Sequence, residues 1–260
     1  MATQFKNLYT TLSTSSSTSF ETKDLLTCPV GKTILVQTVH HHNSTTDTSG
    51  NNSSMHALYF RDYSAYSSAS QLSAYLTNAL AGSYGTIAKG GSITNRYPLV
   101  LEENDELKVR ISEPNQDISL AYVEMDTGVK QKYRSRFSRS TIGTAVGGTF
   151  AANMLLAPQG TTYIVNFIMV MNPWAHTQNF RLKIGGLTDS VAAKKTLWDY
   201  DFQQNGQIVW QQAIVLNGGD LGADDQLILE STWDTDDSAS SGGAYFYVSY
   251  LEIKKPDIRS

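Results

Sequence analysis

The chain has 260 residues, a formal net charge of −4 at pH 7 and a sequence pI of about 5.7. This acidic balance argues against a protein whose main task is to neutralise nucleic-acid phosphates, so we predict no nucleic-acid partner. The single cysteine excludes an intramolecular disulfide, and no apolar stretch has the length of a membrane span or of a signal-peptide core. We therefore expect a soluble chain that is made in a cytoplasm and does not bind a membrane.

The sequence repeats itself at a constant offset of 129 residues. The matched positions are Pro29 with Pro158, Gly31 with Gly160, Thr33 with Thr162, Val36 with Val165 and Asn43 with Asn172. The apolar segment 118–125 is also similar to segment 246–253. A period of this length is too large for a solenoid repeat and indicates two tandem copies of one domain, which we place at residues 1–127 and 128–260.

Strand signals dominate both halves. Residues 33–39 are rich in β-branched side chains and follow a Pro-Gly turn, and residues 107–111 alternate between apolar and charged. Segment 163–171 is apolar at nearly every position, which predicts a central strand that is covered on both faces. With sparse charge (17%) and many Gly, Asn and Asp turns, the pattern predicts an all-β chain. We expect two tandem antiparallel β-sandwich domains, jelly-roll-like, that arose from an internal duplication.

Helix and loop signals are fewer. Leucines near helical spacing predict a helix over Ser67–Leu80, as an insertion specific to the first copy. The polar segments 43–54 and 234–243 are predicted to be exposed loops. We expect the boundary between the copies within residues 126–140.

Three consecutive histidines, His40–His42, are the most conspicuous candidate metal ligands in the sequence. Alternate residues of a strand share a face, so His40 and His42 could bind one metal or meet their counterparts around an oligomer axis. No third ligand is apparent, although His56 follows after the loop. The second copy has Met169–Met171 at these positions, which favours ordinary strand residues that lead into a loop.

No catalytic motif is present. Cys28 corresponds to Ala157 in the second copy, which indicates a small buried side chain rather than a nucleophile. The sequence contains no nucleophile elbow, phosphate-binding loop or metal-binding pair of cysteines. The acidic segments 220–225 and 234–237 could supply oxygen ligands to calcium, but their spacing does not match the known calcium loop, and solvated loop acids are the default interpretation. We predict no cofactor and no enzyme activity.

One basic strip stands out in this acidic chain, from Lys130 to Arg139. In an extended backbone its alternate cations point the same way. It could be a solvated linker or a protected edge strand, or it could dock on an acidic protein surface, for which segments 102–106 and 234–237 of a neighbouring copy are candidate acceptors. The candidate interface residues are Lys130, Lys132, Arg134, Arg136 and Arg139.

The turn Pro29-Val30-Gly31-Lys32-Thr33 with a long strand to Asn43, followed by segments 99–109 and 118–125, resembles the small β-sandwich virion proteins of tailed bacteriophages. The resemblance extends over both halves and consists of turns and strands without a catalytic motif. It implies a module that decorates a capsid or builds neck, collar, tail or fibre parts, usually in rings or trimers.

The leading hypothesis is therefore a non-enzymatic structural component of a phage virion, assembled in the host cytoplasm. Its expected partners are other virion proteins and copies of itself. The alternative is a carbohydrate-binding β-sandwich that reads a host-surface glycan, because all four tryptophans (Trp174, Trp198, Trp210 and Trp233) fall in the second copy. A hydrolase ranks third, since no pair of carboxylates stands out from the background acids.

Overall fold

The computed structural model describes residues 3–14, 21–45, 54–63, 75–76, 85–96, 98–128, 131–142, 149–172, 177–190, 193–203, 206–219, 224–233 and 242–255. The chain divides into two compact units, Met1–Thr127 and Gly128–Ser260. Every regular element in the described residues is a strand. Unit 1 contains β1 (Thr3–Leu12), β2 (Glu21–Thr27), β3 (Lys32–Asn43), β4 (Ser54–Arg61), β5 (Tyr75–Leu76), β6 (Gly85–Ile87), β7 (Ser92–Asn95), β8 (Leu99–Leu101), β9 (Glu106–Ile111) and β10 (Gln116–Asp126). Unit 2 contains β11 (Gln131–Ile142), β12 (Thr149–Leu156), β13 (Thr161–Met171), β14 (Gln178–Gly186), β15 (Lys195–Phe202), β16 (Gln207–Trp210), β17 (Ile214–Asn217), β18 (Asp225–Trp233) and β19 (Gly242–Lys254).

Each unit is built from two antiparallel sheets with the same strand order. In unit 1 the first sheet runs β1-β10-β3-β7, with β8 also on β3, and the second runs β2-β9-β4-β5, with β6 also on β4. In unit 2 the sheets run β11-β19-β13-β16, with β17 also on β13, and β12-β18-β14-β15. In each unit the first strand pairs with the last, and the second strand pairs with the next to last but in the other sheet, which is the arrangement of a double-sheet jelly roll. The prediction of an all-β chain with two antiparallel, jelly-roll-like sandwiches is confirmed.

The two units also share local irregularities. Gly31 and Gly160 adopt positive φ angles of 72° and 76°, which a side chain would oppose, so each turn needs its glycine. The first sheet of each unit has a β-bulge on its central strand, at Gln37 in β3 and at Asn166 in β13. These features describe how the units fold, and descent from one duplicated ancestor stays a prediction.

Burial follows the strand patterns that the sequence predicts. In β9, Leu107, Val109 and Ile111 are each fully buried, and the residues between them are partly exposed. In β13, Ile168 and Val170 belong to the core of unit 2, while Phe167 and Met169 on the opposite face are also buried. The expectation that this central strand is covered on both faces is confirmed.

The predicted helix over Ser67–Leu80 is wrong where it can be compared with the structure. Of this segment only Tyr75–Leu76 is described, and it forms β5, which pairs with Leu58 and Tyr59 of β4. The hydrogen bonds of a neighbouring strand outweigh leucine spacing, because propensity is a weak guide wherever tertiary partners are available. The remainder of the segment lies outside the described residues.

The ends of the first predicted loop are buried rather than exposed. Asn43 and Thr45 are 0% and 3% exposed, and Asn43 Nδ2 donates to the carbonyl oxygen of Ile87 at 2.9 Å. Residues 46–53 and 234–241, which make up most of the two predicted loops, lie outside the described residues.

Within 126–140, where the boundary was expected, residues from Gln131 onward already belong to β11.

Candidate interaction surfaces and buried polar centres

A groove of about 490 Å³ lies on the outer face of the first sheet of unit 1. Strands β1, β10 and β3 form its floor, because Tyr9, Ser119 and His40 are neighbours in register across these strands. Its wall includes Asp117, whose carboxylate accepts a hydrogen bond from Thr11 Oγ1 at 2.6 Å. That bond, with a second from Ser44, holds the pKa of Asp117 below its usual value. The groove therefore combines an exposed ring with oriented polar groups.

The three histidines of β3 are divided between two faces. His40 and His42 line the groove, and His40 Nδ1 lies 2.8 Å from Thr94 Oγ1. His41 points inward, is fully buried, and its Nε2 lies 2.7 Å from Gln116 Oε1. Across the described residues, no three His, Cys, Asp or Glu side chains converge where a metal ion could bind. The metal hypothesis for His40 and His42 thus gains no support from one chain.

A buried polar network surrounds His41. Gln116 is fully buried, and its Nε2 donates to Asn43 Oδ1 at 2.8 Å and to the Pro114 carbonyl oxygen at 2.9 Å. Burial lowers the pKa of His41 to about 4, so the imidazole is neutral at physiological pH. The sequence showed the histidines but not Gln116, which has no motif around it.

A second buried centre lies at the turn between β8 and β9. Asn104 has a φ of 67°, and the Asp105 carboxylate accepts hydrogen bonds from the backbone N–H groups of Tyr63 at 2.9 Å and Glu102 at 2.8 Å. Burial raises the pKa of Asp105 to about 8, although the two N–H bonds oppose that shift. The bond from Glu102 closes the turn and the bond from Tyr63 ties it to the segment after β4, which gives this unusual carboxylate a structural explanation.

Cys28 has the buried role that its counterpart predicts. Its side chain is 0% exposed, like that of Ala157. Its Sγ donates to the carbonyl oxygen of Lys32 at 3.3 Å, and burial raises the pKa of the thiol to about 12. A thiol that stays protonated is a poor nucleophile.

The basic strip forms β11, an edge strand of the first sheet of unit 2. Arg134 Nε donates to Glu252 Oε2 on the neighbouring β19 at 3.1 Å, so this guanidinium already has a partner in its own sheet. Arg136 is exposed and Lys132 is partly exposed. Lys130 and the side chain of Arg139 lie outside the described residues. The docking role of the strip stays a prediction, and Arg136 becomes its clearest candidate.

Within segment 102–106, most of the acidic side chains proposed as acceptors for this strip already have partners, and the other candidate segment, 234–237, lies outside the described residues. Asp105 is buried, Glu103 Oε2 accepts from the backbone N–H of Gly31 at 3.0 Å, and Glu106 bonds Arg61 at 3.1 Å. In the acidic segment 220–225, which was considered for calcium, Asp224 and Asp225 accept backbone N–H bonds from Gly219 and Asn217. Segment 102–106 is therefore a weaker docking target than the sequence indicates.

The described tryptophans do not form an exposed row. Trp198 is 7% exposed, and Trp210 packs against the core while its Nε1 donates to the carbonyl oxygen of Gln212 at 2.9 Å. Trp174 and the side chain of Trp233 lie outside the described residues.

An apolar surface that the sequence reasoning missed lies on β1. Phe5 and Tyr9 are 82% and 76% exposed, on the outer face of the first sheet. Their alternation with polar residues is visible in the sequence, but alternation alone predicts that the apolar side faces a core. On an edge strand, the outer face can stay open instead.

No protein-family model matches the chain, and no curated protein matches it. Among solved structures, the major capsid protein P2 of bacteriophage PM2 is similar with a TM-score of 0.39 and 9% identity, covering 99% of each chain. The major capsid protein of Sulfolobus turreted icosahedral virus has a TM-score of 0.33 and 7% identity, covering 98% of this chain and 97% of the other.

The glycosylasparaginase PNGase F from Flavobacterium meningosepticum is similar at a comparable level, with a TM-score of 0.42 and 9% identity, covering 98% of this chain and 96% of the other. The similar structures thus include both capsid proteins and an enzyme, and none of these similarities decides what the chain does. No helix in the described residues is long and apolar enough to span a lipid bilayer.

Proposed function

We propose that the chain is a non-enzymatic structural component of a viral particle, and more narrowly of a bacteriophage virion, where it mediates subunit assembly or decoration at the capsid, neck or tail. Jelly rolls build viral capsid domains and also lectin domains, so the fold is compatible with this role without requiring it.

The observation that carries the proposal is that the two units share their arrangement of strands but not their buried polar side chains. The strand order and the bulge on the central strand of the first sheet are the same in both. Unit 2 keeps a buried asparagine, Asn172, at the place of Asn43, but Val170 and Ala244 occupy the places of His41 and Gln116. What both units share is a rigid sandwich with its surfaces, which suits a building block.

The groups with unusual pKa values support the same proposal. Perturbed titratable groups often mark catalytic sites. Here His41, Asp105 and Cys28 each lie buried in contacts that hold a strand or a turn in place. Their local structural roles explain the shifts without a reaction.

The experiment is to locate the chain in purified particles. An antibody raised against the recombinant protein should label intact virions in electron micrographs at regular positions, and the chain should co-purify with particles through a density gradient at a fixed copy number. Detection only in the soluble fraction of infected cells would overturn the proposal.

A second candidate is the binding of a host-surface glycan in the groove of unit 1. An exposed Tyr9 ring beside His40, His42 and Asp117 offers a stacking face next to hydrogen-bonding groups, a combination that suits a sugar. A glycan array should then show a ligand whose binding is lost in Tyr9→Ala and kept in Tyr200→Ala, which removes an exposed ring from unit 2. An array without hits would remove this candidate.

A further inference from the structure

Strand β1 is an open edge with a single charged residue, Lys6, as protection. It ends its sheet, and among the described residues no strand pairs with its other side. Its ten residues contain no proline, and its register against β10 runs without a bulge from Thr3 to Leu12. Natural proteins blunt long edges with charges, prolines or bulges, because an open edge pairs with other chains. A ten-residue edge strand with so little protection is suited to pairing with a strand of another chain.

Charge separates β1 from the corresponding edge of unit 2. The only charged side chain of β1 is Lys6, and its Nζ is bound to Glu124 Oε2 at 2.7 Å. Strand β11 has Lys132, Arg134 and Arg136 at its edge. Pairing of β1 with β11 of another copy would form no ion pair, because β1 has no acidic residue. Pairing of two β11 strands would bring like charges together. Two paired β1 strands bring only their Lys6 side chains near each other, and each of these is bound to Glu124 of its own copy. They therefore repel each other less than two β11 strands do, and charge favours a second β1 as the occupant of this edge.

The exposed aromatic residues are placed for self-pairing. Phe5 and Tyr9 lie on one face, two residues on either side of Asn7. In an antiparallel pair centred on Asn7, Phe5 of one copy is opposite Tyr9 of the other, and Asn7 is opposite its own counterpart. Aromatic cross-strand pairs stabilise antiparallel sheets, and an isologous contact needs this self-complementarity.

We infer that two copies of this chain join through antiparallel pairing of their β1 strands, centred on Asn7, so that the first sheet of unit 1 continues from one copy into the next. The inference rests on the proposed assembly role and names a surface for it. Cross-strand contact covers part of each of the four aromatic side chains, and the backbones of the two ten-residue strands add the area along the seam.

The test is a disulfide cross-link across the centre of the pair. Directly opposed residues of antiparallel strands have Cα atoms about 4.5–5.5 Å apart, which is within the range of about 4.4–6.8 Å that a disulfide requires. Asn7→Cys in a Cys28→Ala background should give a covalent dimer under mild oxidation, and alanine is the residue that unit 2 has at that position. Thr11→Cys in the same background is the matched control, because its counterpart would lie about 27 Å away along the pair.

Two measurements keep the test decisive if a cysteine variant folds poorly. Light scattering of the wild type should show a dimer at micromolar concentration, and Phe5→Lys should weaken it at least tenfold. The melting temperatures of the two proteins should agree in dilute solution, where both are monomeric. Hydrogen exchange of the β1 amides should slow as the wild-type concentration rises.

Three results would overturn the inference. They are equal cross-linking of Asn7→Cys and Thr11→Cys, a wild type that stays monomeric at 100 μM, and cross-linking of β1 to a different virion protein. The last result would leave the proposed virion role standing, while absence of the chain from particles with an intact solution dimer would remove the virion role alone.

Discussion

A buried imidazole is a costly choice when an apolar residue fits the same strand position. His41 is fully buried and bonded to Gln116, and the unit 2 residue at its place is Val170. Burial disfavours the protonated form of an imidazole, so the stability of unit 1 depends on the pH at which His41 would gain a proton.

We expect His41→Val to destabilise unit 1 by about 1–3 kcal/mol at pH 7, because it leaves Gln116 Oε1 buried without its imidazole partner. The folded pKa of about 4 is below the unfolded value of 6.5. The contribution of His41 is thus complete above pH 6.5 and is lost as the pH falls towards 4, so the cost of the substitution should shrink over that window. Urea unfolding at pH 7, 6, 5 and 4 measures it.

The control for this prediction is the double variant His41→Val/Gln116→Ala, which installs both residues of unit 2. It should cost less than the two single variants together, since neither partner remains to be orphaned. A cost of His41→Val that is the same at pH 4 and pH 7 would contradict the prediction.

Asp105 is expected to act with the opposite sign. Its folded pKa of about 8 lies above the unfolded value of 3.8, so the folded state keeps a proton that the unfolded state releases between these values. The stability from this group is complete below about pH 4 and falls as the pH rises to 8, by at most about 1.4 kcal/mol per pH unit. The variant Asp105→Asn serves as the reference, because its amide side chain does not titrate.

The measurement for Asp105 is the difference in unfolding free energy between wild type and Asp105→Asn across pH 4–8. The difference should decline as the pH rises. The wild-type curve alone is not diagnostic, because His41 and Asp105 oppose each other between pH 4 and 6.5. A difference that grows with pH would show that the two backbone N–H bonds keep Asp105 ionised.

At the scale of elements, strands of the second sheet of unit 2 are tied by an ion-pair cluster. Glu230 of β18 accepts from Lys183 at 2.9 Å and from Arg181 at 3.3 Å, both on β14, and Arg181 also bonds Asp199 of β15 at 2.8 Å. The side chains of Glu230 and Lys183 are only 6% and 10% exposed. Water therefore screens this pair weakly.

We expect Glu230→Gln to destabilise unit 2 by roughly 3 kcal/mol, because the buried Lys183 side chain loses the carboxylate of Glu230. Asp199→Asn is the control in the same cluster. Its side chain is 47% exposed, so the loss should be below about 1 kcal/mol. Thermal unfolding of both variants gives the comparison, and equal losses would show that burial does not set the strength of this cluster.

The sequence predicted strands well where apolar residues alternate or run together, as in β9 and β13, since burial itself produces these patterns. It failed over Ser67–Leu80, where pairing with β4 decides the conformation of Tyr75–Leu76. It also could not show that Glu252 holds Arg134, because that contact joins residues far apart in the chain. The openness of β1 was likewise invisible, since edge position depends on the order of strands in the sheet.

The two central arginines of the basic strip have different surroundings in the folded chain. Arg134 and Arg136 are equivalent in the sequence, but Arg134 is bound to Glu252, whose side chain is 10% exposed. Arg134→Glu would place a second carboxylate beside Glu252 and weaken unit 2 itself. Arg136 is exposed on the same strand, so it is the residue that separates docking from folding.

We expect Arg136→Glu to weaken assembly with an acidic neighbour by about 1–2 kcal/mol and to leave the melting temperature unchanged, because a guanidinium binds a carboxylate through two parallel bonds. Arg134→Glu, as the control, should lower the melting temperature as well. Sedimentation velocity between 50 and 500 mM salt measures assembly, and the effect of Arg136→Glu should fade as salt screens the charges. Normal assembly of Arg136→Glu at physiological salt would mean that the cations of β11 only keep this edge from pairing, as the charges of an edge strand commonly do.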